Sequence, residues 1–119
     1  MSSLFFSLAA LCKDDALKLF SPKTNKYEII KIVTKDGFKI SSNCLKSGKL
    51  DCLAWKAAKG SLKTPQVGPL IGNPAAKYCS VFDANNRILK DEKAREYDYC
   101  VFPDGSMIDA WTLYNGHHK

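Results

Sequence analysis

The stretch 97–111 reads YDYCVFPDGSMIDAW and carries the strongest structural signals in the chain. Side chains alternate in character over residues 97–102, which predicts a strand with one buried face. The Pro-Asp-Gly that follows predicts a tight turn. Ser106 and Asp109 have the spacing of an acidic capping box, so we expect a helix that starts there and that Gly116 ends.

The residues just upstream supply the other half of a small module. Asn73 followed by Pro74 is typical of a helix start, because proline is favoured at the first helical position. Residues 87–90 predict a strand that pairs with the strand just described across a polar turn at 91–96. The predicted fold class is therefore α+β, with the order helix, strand, strand, helix over 73–116.

A β-hairpin is expected in the first half of the chain. Residues 27–33 (YEIIKIV) are rich in β-branched and aromatic side chains, and Asp36 and Gly37 separate them from a second such run. An Asp-Gly pair between β-rich runs favours a hairpin, because glycine accepts the positive φ of the turn. We place this hairpin at residues 27–42.

A short helix is expected after the hairpin. Asp51 is a candidate cap for a helix over 52–59, which Gly60 would end. Trp55 would anchor that helix in the core. Residues 61–72 contain two prolines and two glycines and form the best candidate boundary in the chain.

Three segments follow from these signals. Residues 1–20 are either a signal or lipoprotein-like segment or a first helix, residues 21–72 are a basic region with the hairpin and short helix, and residues 73–119 are the module. The apolar run 4–11 ends at Cys12, which has the shape of a signal leading to a lipid-modified cysteine. The same run also fits an amphipathic helix that packs into the core.

The charge is divided unevenly between the two halves. Residues 1–72 hold 12 lysines and 5 acidic residues, whereas residues 73–119 hold 6 basic and 7 acidic residues. A basic half attracts anionic surfaces, but the lysines are scattered among apolar residues, which also fits a solvated face. We expect no nucleic-acid partner.

The five cysteines favour disulfides in an exported protein. No Cys-X-X-Cys pair is present, and His117 and His118 are adjacent near the end of the sequence, so the ligand spacings of a zinc site are missing. No phosphate-binding loop and no nucleophile with a well-held base can be drawn. We therefore predict a protein that is not an enzyme and has no cofactor.

Two strings resemble a known family. NPAAKYC at 73–79 and YCVFPDGSMIDAW at 99–111, followed by Gly116, resemble a small bacterial domain family of unknown function whose members are often labelled hemolysins. The resemblance covers residues 73–116. It implies a short exported or lipoprotein-type protein of Gram-negative bacteria, and the hemolysin label implies no mechanism.

The resemblance also bears on the cysteines. Family members usually carry two further cysteines, one before the tryptophan and one after the closing glycine, and both are absent here. Their joint absence implies one lost bridge, which leaves Cys79–Cys100 and Cys44–Cys52 as disulfides and Cys12, the candidate lipid attachment site, unpaired. Four cysteines allow three connectivities, so bridges between the two halves also stay open.

Four aromatic residues have two interpretations. They belong either to the core or to a candidate recognition surface, where aromatic side chains concentrate; they are Tyr97, Tyr99, Phe102 and Trp111. The first hypothesis for function is a binding or structural module of the periplasm or outer membrane, or a secreted one, whose partner is another envelope protein or an anionic surface.

Two alternatives belong to other classes of protein. A membrane-active secreted protein would need an apolar or amphipathic segment that enters lipid, and residues 2–20 are its candidate. A weaker alternative is a peptidase inhibitor that displays the loop at 91–96 from a rigid module.

Overall fold

The computed structural model describes residues 15–61 and 73–118. Within these ranges the strands are β1 (Asp15–Ser21), β2 (Lys26–Lys35), β3 (Phe38–Ser41), β4 (Leu45–Lys46), β5 (Lys49–Leu50), β6 (Asn85–Lys90), β7 (Glu96–Val101) and β8 (Met107–Asp109). The helices are α1 (Leu53–Ala58), α2 (Pro74–Tyr78) and α3 (Ala110–His117), and 3-10 turns occupy Ser42–Cys44 and Cys79–Phe82.

Six of the strands close into an antiparallel barrel in the order β1-β2-β3-β8-β7-β6, while β4 and β5 form a separate ribbon. The barrel closes because β1 pairs with β2 and also with β6, where Leu19 lies opposite Leu89. On the other side, Ile40 of β3 pairs with Ile108 of β8. Three strands that precede residue 61 and three that follow residue 73 therefore share one sheet.

The predicted α+β fold class is wrong, because the described residues are mostly β and form a closed barrel. The predicted order of helix, strand, strand and helix misses β8, which joins β3 to β7. Asp109, not Ser106, is the N-cap of α3 and accepts a hydrogen bond from Thr112 N at 2.9 Å. All three residues of β8 are buried, so the strand shows no alternation of apolar and polar residues. Its sequence therefore cannot be told apart from that of the helix that follows it.

One of the two interpretations of residues 1–20 was a first helix. This interpretation is wrong over residues 15–20, which the structure describes. Residues 15–20 lie in β1, and residues 1–14, including Cys12, lie outside the described part of the chain. Leu17 and Leu19 are buried inside the barrel, whereas Lys18 and Phe20 are exposed. This period of two residues is that of a strand.

The predicted hairpin is confirmed. β2 and β3 pair with Val33 opposite Ile40, and the turn between them is Asp36-Gly37. Both turn residues have positive φ, 53° for Asp36 and 84° for Gly37. Positive φ at both turn residues matches the twist of a two-residue hairpin. Glycine adopts positive φ without a steric penalty.

Two buried clusters lie on opposite sides of the barrel wall. The inner core lies inside the barrel and contains Leu17, Leu19, Ile32, Leu89, Tyr99 and Met107. The outer core lies between the three helices and the outer wall of β3, β8 and β7. Its buried members are mainly small, with a few larger residues, and are Ile40, Cys44, Cys52, Ala54, Ala57, Ala58, Ala75, Cys79, Val81, Phe82, Ala84, Cys100, Phe102, Ile108, Ala110 and Leu113.

Both disulfides lie in the outer core. Cys44 is bonded to Cys52, and Cys79 is bonded to Cys100, with 5.1 Å between the Cα atoms in each pair. The first pair ties the 3-10 turn after β3 to the start of α1. The second ties the 3-10 turn after α2 to β7. These are the pairings that the family resemblance implied.

Helix α1 is capped differently from the prediction. Its N-cap is Cys52 and not Asp51, and Cys52 Sγ accepts from Trp55 N at 3.3 Å. Trp55 packs against the outer core while remaining partly exposed. The predicted end of the helix is confirmed, since α1 stops before Gly60.

Two further caps reach α1 from the turn before β8. Asp104 Oδ2 accepts from Leu53 N at 2.9 Å, and Ser106 Oγ accepts from Ala54 N at 3.1 Å. These bonds satisfy amides at the start of a helix that have no partner within it. The Asp-Gly-Ser turn therefore holds α1 across a long sequence separation.

Gly116 was predicted to end α3, but it lies inside this helix. A Cβ atom at this position would lie 2.6 Å from Cε1 and 2.7 Å from Cζ of Phe38. A side chain at this position would have to displace the ring of Phe38 in β3. The start of α2 agrees with the prediction, since Asn73 Oδ1 accepts from Ala76 N and Pro74 is the first helical residue.

Candidate functional site

The four aromatic residues of the candidate recognition surface do not lie on one surface. Tyr99 is buried in the inner core and Tyr97 packs against it. Phe102 is buried in the outer core. Trp111 is 41% exposed on α3. The structure brings only Tyr97 and Tyr99 together, at one end of the barrel.

Tyr97 and Tyr99 line a cavity of about 380 Å³ at this end of the barrel. The register of the sheet creates it. Tyr99 lies opposite Asp109, and Asp15 lies opposite Ile32, so that polar and apolar side chains alternate around the opening. The volume lies within the usual range of small-molecule sites. The cavity is therefore the first candidate functional site.

One edge of the cavity is held by Asp91. Its carboxylate accepts from Arg95 Nε at 2.6 Å, from the Tyr97 hydroxyl at 2.9 Å, and from the amides of Lys93 and Arg95. Burial acts to raise the pKa of Asp91, but these hydrogen bonds outweigh it and hold the pKa well below its usual range. Asp91, Arg95 and Tyr97 thus satisfy one another and form a structured rim.

Tyr99 and Asp109 form the interior of the cavity. Burial raises the pKa of Tyr99, and the negative charges of Asp109 and Asp15 raise it further. Burial also raises the pKa of Asp109, although the amide of Thr112 and the charge of Lys39 act against it. A phenol and a carboxyl group, each with a pKa raised by burial, therefore share a partly dehydrated space.

The second candidate is the outer wall of β1, β2 and β6, which no described helix covers. We name it the bare face and define it by four exposed apolar residues and the lysines among them; these residues are Phe20, Tyr27, Ile29, Ile88, Lys18 and Lys31. Ile29 is 59% exposed and Tyr27 is 50% exposed. The rings of Phe20 and Tyr27 meet edge to face with 5.4 Å between centroids.

The register explains why these side chains point outward. Lys18 lies opposite Ile29, and Phe20 lies opposite Tyr27, while Leu17 and Leu19 between them point inward. Sequence reasoning missed this face because YEIIKIV has apolar residues on both faces of β2. The available signal was the run of apolar residues at consecutive positions. Such a run places apolar side chains on both faces of a strand, and only one of these faces points into the barrel.

Acidic residues of β7 border the bare face. Glu96 lies opposite Lys90, and the Glu96 carboxylate is 3.8 Å from Lys90 Nζ. Asp98 lies opposite Ile88. Lys18 and Lys31 form no ion pair with any residue in 15–61 or 73–118. The bare face is therefore an apolar patch with unpaired positive charge at one side.

His117 is held more firmly than its place near the end of the sequence suggests. Its Nδ1 lies 2.7 Å from the Tyr78 hydroxyl and its Nε2 lies 3.2 Å from the carbonyl oxygen of Ala58. Over the described ranges, no group of histidine, cysteine, aspartate and glutamate is arranged to hold a metal ion. In the same ranges no helix has both the length and the apolar character needed to cross a membrane.

Comparison with known proteins gives one match. Residues 70–117, less than half of the chain, match the family described as Domain of unknown function (DUF333). Neither a curated protein nor a solved structure matches the chain. The match agrees with the resemblance to a small family of unknown function and gives no support to the hemolysin label. This region of the chain is thus similar to a family that has no assigned activity, and β1, β2 and β3 lie outside the match.

Proposed function

We propose that this protein is a non-enzymatic, exported binding module whose bare face docks on an acidic surface of another envelope protein. The bare face carries the proposal, because soluble domains seldom leave aromatic and aliphatic side chains together in the open without a partner. Export is supported by the two disulfides, since disulfides persist in oxidising compartments.

The charges on the face favour a protein partner with acidic groups. Lys18 and Lys31 have no acidic partner in the described residues, so carboxylates on a partner would pair with them while apolar side chains cover Ile29 and Tyr27. Complementary charges of this kind guide and orient association. A second copy of the chain would bring the same lysines together.

The border of the face argues against an anionic bilayer as the partner. Asp98 lies on the same face as Ile88, directly opposite it in the sheet. A carboxylate pressed against anionic headgroups would be repelled and would lose hydration. A protein surface can instead add a donor to the two that Asp98 already has, Asn73 Nδ2 at 2.9 Å and Asn86 Nδ2 at 3.3 Å.

Site-specific photo-crosslinking in the native host tests the proposal. A photoreactive residue replaces Ile29 on the bare face, and the control places it at Trp111, which is also exposed but lies on α3. We expect one envelope protein to be joined at position 29 and not at position 111. The partner is then identified by mass spectrometry, purified and titrated with the disulfide-bonded protein.

Two variants connect the adduct to the face. Ile29→Thr keeps a β-branched side chain but removes apolar area, and the pair Lys18→Gln and Lys31→Gln removes the charge. Each is expected to weaken binding of the purified partner about tenfold, with stability changed by less than about 0.5 kcal/mol because the positions are exposed. Adducts between two copies of this chain, or binding that neither variant weakens, would refute the proposal.

Vesicles of phosphatidylglycerol and phosphatidylcholine test the membrane alternative. The proposal predicts that the wild-type protein does not sediment with vesicles of either lipid. Sedimentation with the phosphatidylglycerol vesicles that Lys18→Gln and Lys31→Gln abolish, without a protein adduct at position 29, would replace the protein partner with an anionic membrane.

A further inference from the structure

The cavity at the end of the barrel is lined by Tyr99, whose hydroxyl has no hydrogen-bond partner among the described residues. Tyr99 is 1% exposed, and no hydrogen bond to its hydroxyl is formed by any residue in 15–61 or 73–118. Yet in those ranges no buried side-chain oxygen or nitrogen is both enclosed and unsatisfied. Because Tyr99 lines the cavity and its hydroxyl is not both enclosed and unsatisfied, we take the hydroxyl to border that space.

The remaining charges of the cavity are mainly negative. Arg95 is bonded to Asp91 and is not free to meet a ligand. This leaves three lining carboxylates and one cation, namely Asp15, Glu92, Asp109 and Lys39. A ligand that entered this space would meet an excess of negative charge, so an anion is disfavoured and a cation is favoured.

Apolar side chains complete the lining. Leu17 and Ile32 belong to the inner core and border the same space, as does the ring of Tyr99. A bare metal ion would gain nothing from these surfaces. A cation on a short hydrocarbon stem would place its charge near Asp109 and its methylene groups against Leu17 and Ile32.

We infer that the barrel cavity binds a primary alkylammonium group, with Asp109 as the charged acceptor and the Tyr99 hydroxyl as a second acceptor. An ammonium group has three donors and no acceptor, which suits one carboxylate and one phenol oxygen. The group could belong to a free aliphatic amine or to a lysine side chain, and the two sources share this chemistry. The inference concerns the cavity alone and does not depend on what the bare face binds.

Calorimetric titration of the full-length disulfide-bonded protein tests the inference with four probes. n-Pentylammonium represents a free amine and N-acetyl-lysine methylamide represents a lysine side chain. Pentanoate and 1-pentanol have the same stem with a negative charge or none. We expect saturable binding of at least one ammonium probe at millimolar concentration or below, and none of pentanoate; the tighter ammonium probe identifies the source.

Two conservative variants test the assigned acceptors. Asp109→Asn removes the charge and keeps a good N-cap for α3, and it should weaken ammonium binding about tenfold. Tyr99→Phe removes only the hydroxyl and should weaken binding about fivefold. Glu96→Gln makes the same carboxylate-to-amide change on the outside of the barrel, where the side chain is 61% exposed, and should leave the affinity unchanged.

A third variant keeps the test decisive if either acceptor variant folds poorly. Lys39→Gln removes the lining cation that competes with the ligand, so ammonium binding should become tighter by about threefold. The inference fails if wild-type protein binds neither ammonium probe, if pentanoate or pentanol binds equally well, or if the folded Asp109→Asn and Tyr99→Phe variants retain wild-type affinity.

Discussion

The outer core and the inner core of this protein contain different types of side chain. The outer core contains six alanines and all four bonded cysteines, whereas the inner core contains leucine, isoleucine, methionine and tyrosine and neither disulfide. Small side chains let the helices approach the sheet closely, but each buries little apolar area. Covalent bonds offset that deficit on one side of the barrel wall, while large side chains fill the other.

This difference separates stability from binding. The side with the disulfides is covered by the helices. The side without them ends in a cavity that contains Tyr99 and Asp109. The bare face also lies on the half of the wall that neither disulfide supports. Changes to the outer core should therefore affect stability most strongly, and changes around the cavity should affect protonation and binding.

The largest effect is expected from removing the Cys79–Cys100 disulfide. The pair spans 21 residues of sequence, and its loss through Cys79→Ala with Cys100→Ala should lower the free energy of unfolding by about 3 kcal/mol, as less chain entropy is removed from the unfolded state. Urea denaturation followed by tryptophan fluorescence measures the change.

The shorter disulfide provides the matched comparison. Cys44 and Cys52 are 8 residues apart, so Cys44→Ala with Cys52→Ser should cost about 2.5 kcal/mol. Serine at position 52 retains an acceptor for Trp55 N and separates the disulfide from the cap. A greater loss from the shorter loop would show that chain entropy does not govern the outer core.

A smaller effect is expected from Gly116→Ala, which tests the close approach of α3 to β3. Alanine favours a helix by about 1 kcal/mol over glycine, but its Cβ would overlap the Phe38 ring, and overpacking costs about 2 kcal/mol. We expect a net loss of about 1 kcal/mol in the same denaturation experiment. Asn115→Ala, at an exposed position of the same helix, is the control.

The Phe38 ring can be removed to confirm the source of that loss. In a double-mutant cycle with Phe38→Leu, the penalty of Gly116→Ala should largely disappear, because the clashing atoms are gone. If alanine at position 116 costs the same with either residue at position 38, the glycine is required for another reason.

The smallest effects should appear in the pH dependence of stability, with opposite signs for Asp104 and Asp109. Burial acts to raise the pKa of Asp104, but hydrogen bonds from Leu53 and Ser106 outweigh it and lower the pKa. Its contribution is present above the ordinary pKa of 3.8 and is lost as the pH falls through the lowered value. Asp104→Asn should therefore lose stability at neutral pH, and the difference should shrink in acid.

Asp109 should behave in the opposite way. Burial raises its pKa, so the folded state binds a proton more tightly than the unfolded chain, and stability falls as the pH rises from 3.8 through the raised value. Asp109→Asn should gain stability over the wild type at neutral pH, and the gain should vanish in acid. Thermal unfolding at a series of pH values measures both variants, and a shared sign would contradict the assignment of either carboxylate.

Local signals predicted the parts of the fold that depend on neighbouring residues. Asp36-Gly37 requires only its own backbone conformation to make a hairpin, and Asn73 with Pro74 requires only the next turn of helix. β8 could not be predicted in this way, because Met107–Asp109 becomes a strand only through pairing with β3 and β7. The helix after the Asp-Gly turn was predicted correctly, but its N-cap is Asp109 and not Ser106.

The candidate sites were hidden for the same reason. The cavity depends on Tyr99 lying opposite Asp109 and on β1 closing the barrel beside β6. The bare face depends on which side of β2 points outward. Both are questions of register between distant strands, and a shift of one residue would exchange the inner and outer side chains.

The caps on α1 have a consequence for how the protein is made. Asp104 follows Leu53 by 51 residues, so the ribosome synthesises the helix well before it synthesises the side chains that complete it. Until then the amides at the start of α1 lack these acceptors, and Cys52 is held only by local structure. We expect the Cys44–Cys52 disulfide to form late, after the Asp-Gly-Ser turn has been synthesised.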